Sequence, residues 1–327
     1  MSNYYDNEEK RKKPTWFDRV QKEREGVSPD DPKALDKPTV GSFFKLFGRK
    51  INTLLSVNLL YVFGNFPIFF FLLALSGYVS DSTSAPYYQQ FAPLLGASYF
   101  DPSPVTASLL GIFGAHISIT VPTVFTNILY GLTALLFVTF GPVNVGTTYL
   151  LRSMVREEGM FLMSDFWYAI KKNLRQGLIF GVIDLLIMAL LGYDFLYFYI
   201  NLGSGSTFIY ILFFITFAMI IVYAMMRMYI YLMMVTFDLS IAKMLKNALF
   251  FSILGIKRNI MALLWVVLLI ALEYVILMVF APLGVILPLI LLFSVGAFGC
   301  AFAAYPKIKE IMIDPYYSET PTPRNED

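Results

Sequence analysis

One cysteine and one histidine serve all 327 residues, and that scarcity closes several chemistries at once. Cys300 alone can neither form an intrachain disulfide nor supply a cysteine cluster for a metal. Inside an apolar stretch it reads as a small packing residue. His116 stands without the further ligands that a metal centre needs. No metal and no cofactor are therefore expected. The chain also lacks a Gly-x-x-x-x-Gly-Lys-Ser/Thr phosphate loop, a His-Glu-x-x-His pair, a Gly-x-Ser-x-Gly elbow and paired aspartates on adjacent apolar stretches. An ATPase of the phosphate-loop type and the common membrane hydrolases are not supported, and the chain reads as a non-enzyme. It also has no long Glu-Ala-Ala-type segment of the kind with which an importer's permease engages its ATPase.

Charge is scarce too. Asp, Glu, Lys and Arg make up 15% of the chain, against roughly 25% in a soluble domain, while 57% is hydrophobic. The mean hydropathy is +0.64. No Lys or Arg occurs between Lys50 and Arg152, between Arg175 and Arg227, or between Arg258 and Lys307. Basic loops stay on the cytoplasmic side of a bilayer, so each empty interval reads as one passage out and back. The expected fold is an all-α integral membrane protein. It has six transmembrane helices arranged as three hairpins, each preceded by an amphipathic interfacial helix, with both termini cytoplasmic. The spans fall at about 51–77, 127–150, 177–200, 207–227, 260–281 and 283–305. A polar tail, 1–38, precedes the membrane domain, 39–310, and a second cytoplasmic tail, 311–327, follows. The first 40 residues are polar and the first apolar run is too long for a signal-peptide core, so that run is expected to act as an uncleaved signal anchor.

On this topology Asp81, Asp101 and Asp194 lie outside and Asp184 and Glu273 lie within spans. The remaining acids share the inner side with all the bases, leaving that side net positive and suited to anionic inner-leaflet lipid. Nucleic acid is not an expected partner, because acids interleave with the bases of the N-terminal tail. Within that tail Thr15 can cap a short helix, 16–24, although an unstructured tail is the plainer expectation. Residues 39–50 mix aromatic and basic side chains and read as an interfacial helix. Pro67 is placed to kink the first span, in which Asn58 and Asn65 share a face. The outer segment 78–126 holds a Tyr-Gln cluster, 87–90, read as part of an aromatic belt. It also holds a short apolar stretch, 105–120, read as re-entrant or interfacial. Ser164 can cap an amphipathic inner helix from Asp165 to Asn173. The third span opens with Gly177 and Gly181, a spacing that permits close helix contact. Residues 228–237 are expected to leave the bilayer as a lateral helix, with the methionines around Met225–Met234 facing lipid or a partner.

Carboxylates within a membrane are costly and mark functional candidates. Asp184 and Glu273 are accordingly the first candidates here, as a proton or cation relay or as assembly contacts. Counted from the span starts, Asp184 lies ~10 Å deep and Glu273 ~20 Å deep, too far apart to form a close dyad. Arg227 is the nearest cation but is placed nearer the inner surface, where it can snorkel. With no cation at matching depth, both carboxylates are expected to be neutral and hydrogen-bonded. Arg152, Asp165, Phe166, Trp167, Asp238 and Lys246, on the inner segments, are the candidate partner-facing residues.

The run Gly141-Pro-Val-Asn-Val-Gly-Thr-Thr-Tyr-Leu-Leu-Arg-Ser-Met-Val-Arg-Glu-Glu-Gly159, followed by Asp165-Phe166-Trp167 and Lys172-Asn173, resembles the YesL-like family of bacterial integral membrane proteins. The later Phe237-Asp238-Leu239 and Lys246-Asn247-Ala248 look similar to that family's second inner segment. The resemblance covers roughly 38–310, with a longer N-terminal tail and first outer loop than is typical. The family's function is not established, and no site residues carry over from it. Its members often accompany components for oligosaccharide uptake, which implies a place in the bacterial cytoplasmic membrane beside an ATP-driven sugar importer or its sensor kinase. The expected function is therefore a non-catalytic accessory subunit of a carbohydrate importer, contacting permease subunits and the ATPase. The alternatives are an autonomous proton- or cation-coupled transporter and a membrane regulator of a sensor kinase.

Overall fold

The computed structural model describes residues 38–86, 103–105, 108 and 116–315. The N-terminal tail with its expected helix at 16–24, the cluster at 87–90 and the tail beyond 315 lie outside the described residues. Five helical segments are long and apolar enough to cross a membrane: Val124–Val155, Leu174–Gly203, Thr207–Thr236, Ile256–Val279 and Ala281–Ile313. A sixth appears if Val40–Gly64 and Ile68–Leu75 form one broken span. The chain is a mostly helical, multi-pass membrane protein.

The described chain divides into two compact units, Asn65–Leu136 and the remainder. In the smaller unit, helix α2 (Ile68–Leu75) precedes two antiparallel strands, β1 (Asp81–Pro86) and β2 (His116–Val121), and helix α3 (Val124–Thr133). Asp81 pairs with Val121 and Pro86 with His116. The apolar stretch expected to be re-entrant or interfacial thus ends in a strand, where alternating Ile117, Ile119 and Val121 suit a two-residue period. Thr123 and Thr126 cap α3 reciprocally. Both hydroxyls also donate to the Val79 carbonyl, at 2.8 and 2.9 Å.

The larger unit opens with α1 (Val40–Gly64). Thr39 and Ser42 begin it with a capping box: each side-chain oxygen accepts from the other's backbone N–H, at 2.7 and 3.3 Å. The helix runs through Lys50 and Ile51 without interruption, so the first span has no separate interfacial helix before it. The helical run expected over 51–77 stops at Gly64 and resumes only after Pro67, whose ring removes a backbone donor. The unit continues with α4 (Leu136–Val155), α5 (Leu162–Lys172), α6 (Leu174–Ile200), α7 (Thr207–Thr236), α8 (Ile241–Leu254), α9 (Ile256–Val279), α10 (Ala281–Leu287) and α11 (Phe293–Ile308). Separate short helices, α5 and α8, do precede α6 and α9. α6 and α7 lie side by side in opposite directions: Phe195 meets Phe213 near their connection, and Asp184 meets Arg227 further along.

Two expectations about α7 change. The helix does not end after Arg227 but continues unbroken to Thr236, and Tyr229–Val235 is its most buried stretch. Met225, Met233 and Met234 are therefore buried, the last two within the main core cluster, and face neither lipid nor a partner. An unbranched thioether suits such irregular interior gaps. Tyr229 stacks on Phe251 of α8 at 5.2 Å and donates to Asn259 of α9 at 2.6 Å, while Asn259 donates to the Phe251 and Ser252 carbonyls. One asparagine thus closes the α8–α9 corner.

Asn58 serves the same purpose at the start of α11. Pro288 opens a π-helical turn, Pro288–Leu292, between α10 and α11. Asn58 is fully buried and donates to the Pro288 and Leu289 carbonyls, each at 2.9 Å, and accepts from the Ser294 N–H at 2.8 Å. Interhelical hydrogen bonds in membranes are worth about 0.6 kcal/mol each on average. Asn58→Ala is therefore expected to cost about 2 kcal/mol, read as a lower denaturation midpoint in micelles. An unchanged midpoint would mean that the π turn satisfies itself.

Candidate functional site

The polar centre of the larger unit is assembled by a close crossing of α4 and α6. Gly141 lies against Gly177 and Gly181: a Cβ added at Gly141 would collide with the Gly177 carbonyl oxygen and come within 2.8 Å of the Gly181 Cα. The Gly177/Gly181 spacing seen in the sequence thus finds its counterpart in the Gly141-Pro142 break. Asn144 follows one turn after Gly141, and Asp184 one turn after Gly181. The crossing brings both to the same place.

α7 supplies the rest. Tyr223, Arg227 and Tyr231 recur every four residues and so share one face. The Asp184 carboxylate is fully buried. Its Oδ1 accepts from the Tyr223 hydroxyl at 2.7 Å and from Arg227 Nε at 3.1 Å. Its Oδ2 accepts from the Tyr231 hydroxyl at 2.7 Å and from the same Nε at 2.9 Å. Arg227 Nη2 donates to Asn144 Oδ1 at 3.2 Å, and Asn144 Nδ2 donates back to the Phe140 carbonyl at 2.8 Å. The guanidinium also lies over the rings of Phe140 and Tyr231, at 5.6 and 5.3 Å. Each ring face attracts the cation.

This overturns the expectation of an unpaired Asp184. Arg227 was placed too shallow because its span was expected to end there, whereas α7 continues for more than two turns. Measured along the helices, Asp184 and Arg227 both lie ~15 Å from the same end of the α6–α7 pair. A carboxylate with both oxygens engaged by hydroxyl and guanidinium donors is suited to holding helices together.

Glu273 is elsewhere, on α9. Only Asn259 and Ala262 of that helix are buried. Its neighbours Leu272 and Tyr274 are exposed. Glu273 Oε2 is itself buried and has no hydrogen-bond partner among the described residues.

Among the inner-segment candidates, Arg152 and Phe166 are corrected. Arg152 is 7% exposed. It donates to the Val235 carbonyl at the end of α7 and lies 4.6 Å from the Tyr149 ring centre. Phe166 packs on Gly146, where a Cβ would come within 2.6 Å of its ring. Neither side chain is available to a partner. Asp165 does not follow a Ser164 cap, because α5 starts at Leu162 and Asp165 Oδ2 accepts from the Phe161 N–H at 2.8 Å. Trp167, Asp238 and Lys246 are exposed.

Sequence reading missed Asn144, Tyr223 and Tyr231. The available signal was the four-residue spacing of the two tyrosines on either side of Arg227. Among the described residues no group of three or more His, Cys, Asp or Glu side chains is arranged to hold a metal.

A partly open cavity of about 420 Å³ adjoins the polar centre, lined by residues of α1, α4, α7, α9 and α11. Arg227, Asn144, Thr147, Thr148, Tyr231, Cys300, Tyr61 and Ser294 are its polar lining, and the rest is apolar. Arg227 is 30% accessible on its side chain, whereas Asp184 behind it is wholly enclosed.

No curated protein and no solved structure matches the chain. Residues 123–195 match the model of a family described as a protein of unknown function, DUF624. The matched stretch includes the glycine crossing, Asn144 and Asp184, and it ends before Arg227.

Proposed function

We propose that this chain is a non-catalytic accessory subunit in the bacterial cytoplasmic membrane, assembling beside the permease subunits of an ATP-driven oligosaccharide importer. One observation carries the assembly reading: α9 has two buried residues, so most of its surface is left uncovered by the chain itself, and it carries the half-buried carboxyl of Glu273. An unsatisfied polar atom in hydrocarbon costs several kcal/mol. Another chain's membrane helix packed on that face would cover it and bring a donor or cation to the accessible part of the Glu273 side chain. The importer assignment rests on the resemblance of 141–177 and 237–248 to the YesL-like family, with which the family match over 123–195 is consistent.

In this reading the broken pair α1–α2 counts as one span, giving six spans in three hairpins. Both termini are cytoplasmic because every Lys and Arg outside the spans then stays on the inner side, Arg227 being held within α7 by Asp184. Exposed Trp167, Asp238 and Lys246 provide a cytoplasmic surface for an ATPase or a sensor kinase. The autonomous-transporter reading draws less support, because Asp184 is already paired with Arg227 and held by Tyr223 and Tyr231.

Affinity purification from native membranes tests the proposal. Permease or ATPase chains are expected to co-purify with the wild-type protein and to be lost at least tenfold with Glu273→Leu, while the variant keeps its own expression and monodispersity. An unchanged set of partners in the variant removes Glu273 from assembly. A lone chain that carries solute in liposomes overturns the accessory role.

A further inference from the structure

We propose that the cavity beside Arg227 is a binding site for a neutral, apolar molecule bearing a carbonyl acceptor, such as the ester of an acylglycerol. The inference goes beyond the accessory-subunit reading and does not depend on it.

The argument begins with the guanidinium. Arginine has five N–H donors in a fixed fork and no acceptor. Nε is taken by Asp184 and one Nη2 hydrogen by Asn144 Oδ1. Nη1 donates to nothing among the described residues, and the side chain lines the cavity. Thr148 adds a hydroxyl to the same wall, and Asn144 has a second amide hydrogen beyond the one given to Phe140. The polar wall is therefore rich in donors, and donors left unmade at this depth are costly.

Apart from Tyr61 and Ser294 the rest of the lining is hydrocarbon, including Val57, Leu263, Val266, Leu269, Ile270 and Ala297. A fitting occupant has an apolar body and an acceptor at one end. The charge of that end follows from Asp184, which lies directly behind Arg227 and cancels it. The cavity faces the positive end of a neutral pair. A carboxylate or phosphate head would bring an uncompensated charge into a low-dielectric interior, at a cost of several kcal/mol. A carbonyl dipole meets the same donors without that penalty. The site thus selects for a neutral acceptor over an anion.

Cys300 provides the assay, because it lines the cavity and is the chain's one cysteine. Wild-type protein in nanodiscs of ether-linked, carbonyl-free lipid is treated with N-ethylmaleimide, and the single adduct is followed by mass spectrometry. Monoolein is expected to slow labelling at least tenfold. Oleate and hexadecane at the same concentration should slow it less than twofold. A hydrophobic quinone serves as a second carbonyl source; protection by it equal to that by monoolein would extend the class beyond esters, and stronger protection would overturn the ester assignment. Ala297→Phe, which fills the cavity and leaves the Arg227–Asp184 pair untouched, should abolish the monoolein dependence. Thermal unfolding is read in parallel, with monoolein raising the midpoint of wild type and not of the variant. Equal protection by hexadecane or by oleate overturns the proposal, as does monoolein leaving both labelling and the midpoint unchanged, the result expected if water alone satisfies the donors.

Discussion

Asp184→Leu is expected to lower folding stability by about 3–5 kcal/mol, the range for breaking a buried ion pair from one side. The loss comes from what remains behind. Arg227 keeps its charge with only Asn144 to share it, and the hydroxyls of Tyr223 and Tyr231, which donate to Asp184 at 2.7 Å, lose their acceptor. Asp184→Asn should cost less, because an amide oxygen still accepts from one tyrosine. The informative variant is the pair Asp184→Leu with Arg227→Met. Apolar replacement of both members of a buried ion pair is often neutral or better, so the double variant should recover most of the lost stability. Reversible unfolding in mixed micelles, followed by circular dichroism, gives all three values. If the double variant is as unstable as Asp184→Leu alone, the two tyrosines carry the energy and the ion pair does not.

The second large effect is at the α4–α6 crossing. Gly141→Ala is expected to cost about 3 kcal/mol or more, at or above the upper end of the overpacking range. The obstacle at this position is backbone, the Gly177 carbonyl and the Gly181 Cα, and neither can swing aside as a side chain does. Gly181→Ala should behave alike, since its Cβ would reach the Gly141 nitrogen at 2.6 Å. Gly177→Ala should be milder, because its Cβ meets a Val145 methyl at 3.1 Å. Gly192→Ala, with nothing within 4 Å, should show no loss. Fluorescence-detected size exclusion after graded heating ranks the four. A Gly192 variant as damaged as Gly141→Ala would attribute the losses to helix flexibility and leave the crossing without a role.

Which parts of this were legible in the sequence follows from the range of each signal. Hydrophobic length is a local property, and the apolar helices lie close to where the gaps in Lys and Arg placed them. The glycine spacing in α6 was also visible, but its partner Gly141 was not, because nothing in a single chain says which helices cross. Depth was the weak point. Depth depends on where a span ends, and because α7 runs nine residues past Arg227 a span ending at Arg227 separates it from Asp184 and hides the central pair. Tyr223, Arg227 and Tyr231 could have corrected this, since three polar side chains on one face of an apolar helix seek a common partner. Arg152 and Phe166 were misassigned for a related reason. An amphipathic inner segment looks the same whether its apolar face meets lipid, a partner or its own core, and here α5 turns Phe166 onto Gly146.

Arg152 and Arg227 together have a mechanical consequence. Arg227 reaches Asn144, and Arg152 reaches the Val235 carbonyl, so both bridges join α4 to α7 across the same interval of 83 residues. Two ties with one offset fix the stagger of the two helices as two bolts fix a splint. Sliding by a single turn, ~5.4 Å, would have to shear both ties at once and expose two cations together. Any working motion of the protein must then leave α4 and α7 locked and use the lightly packed α9 side as its moving part.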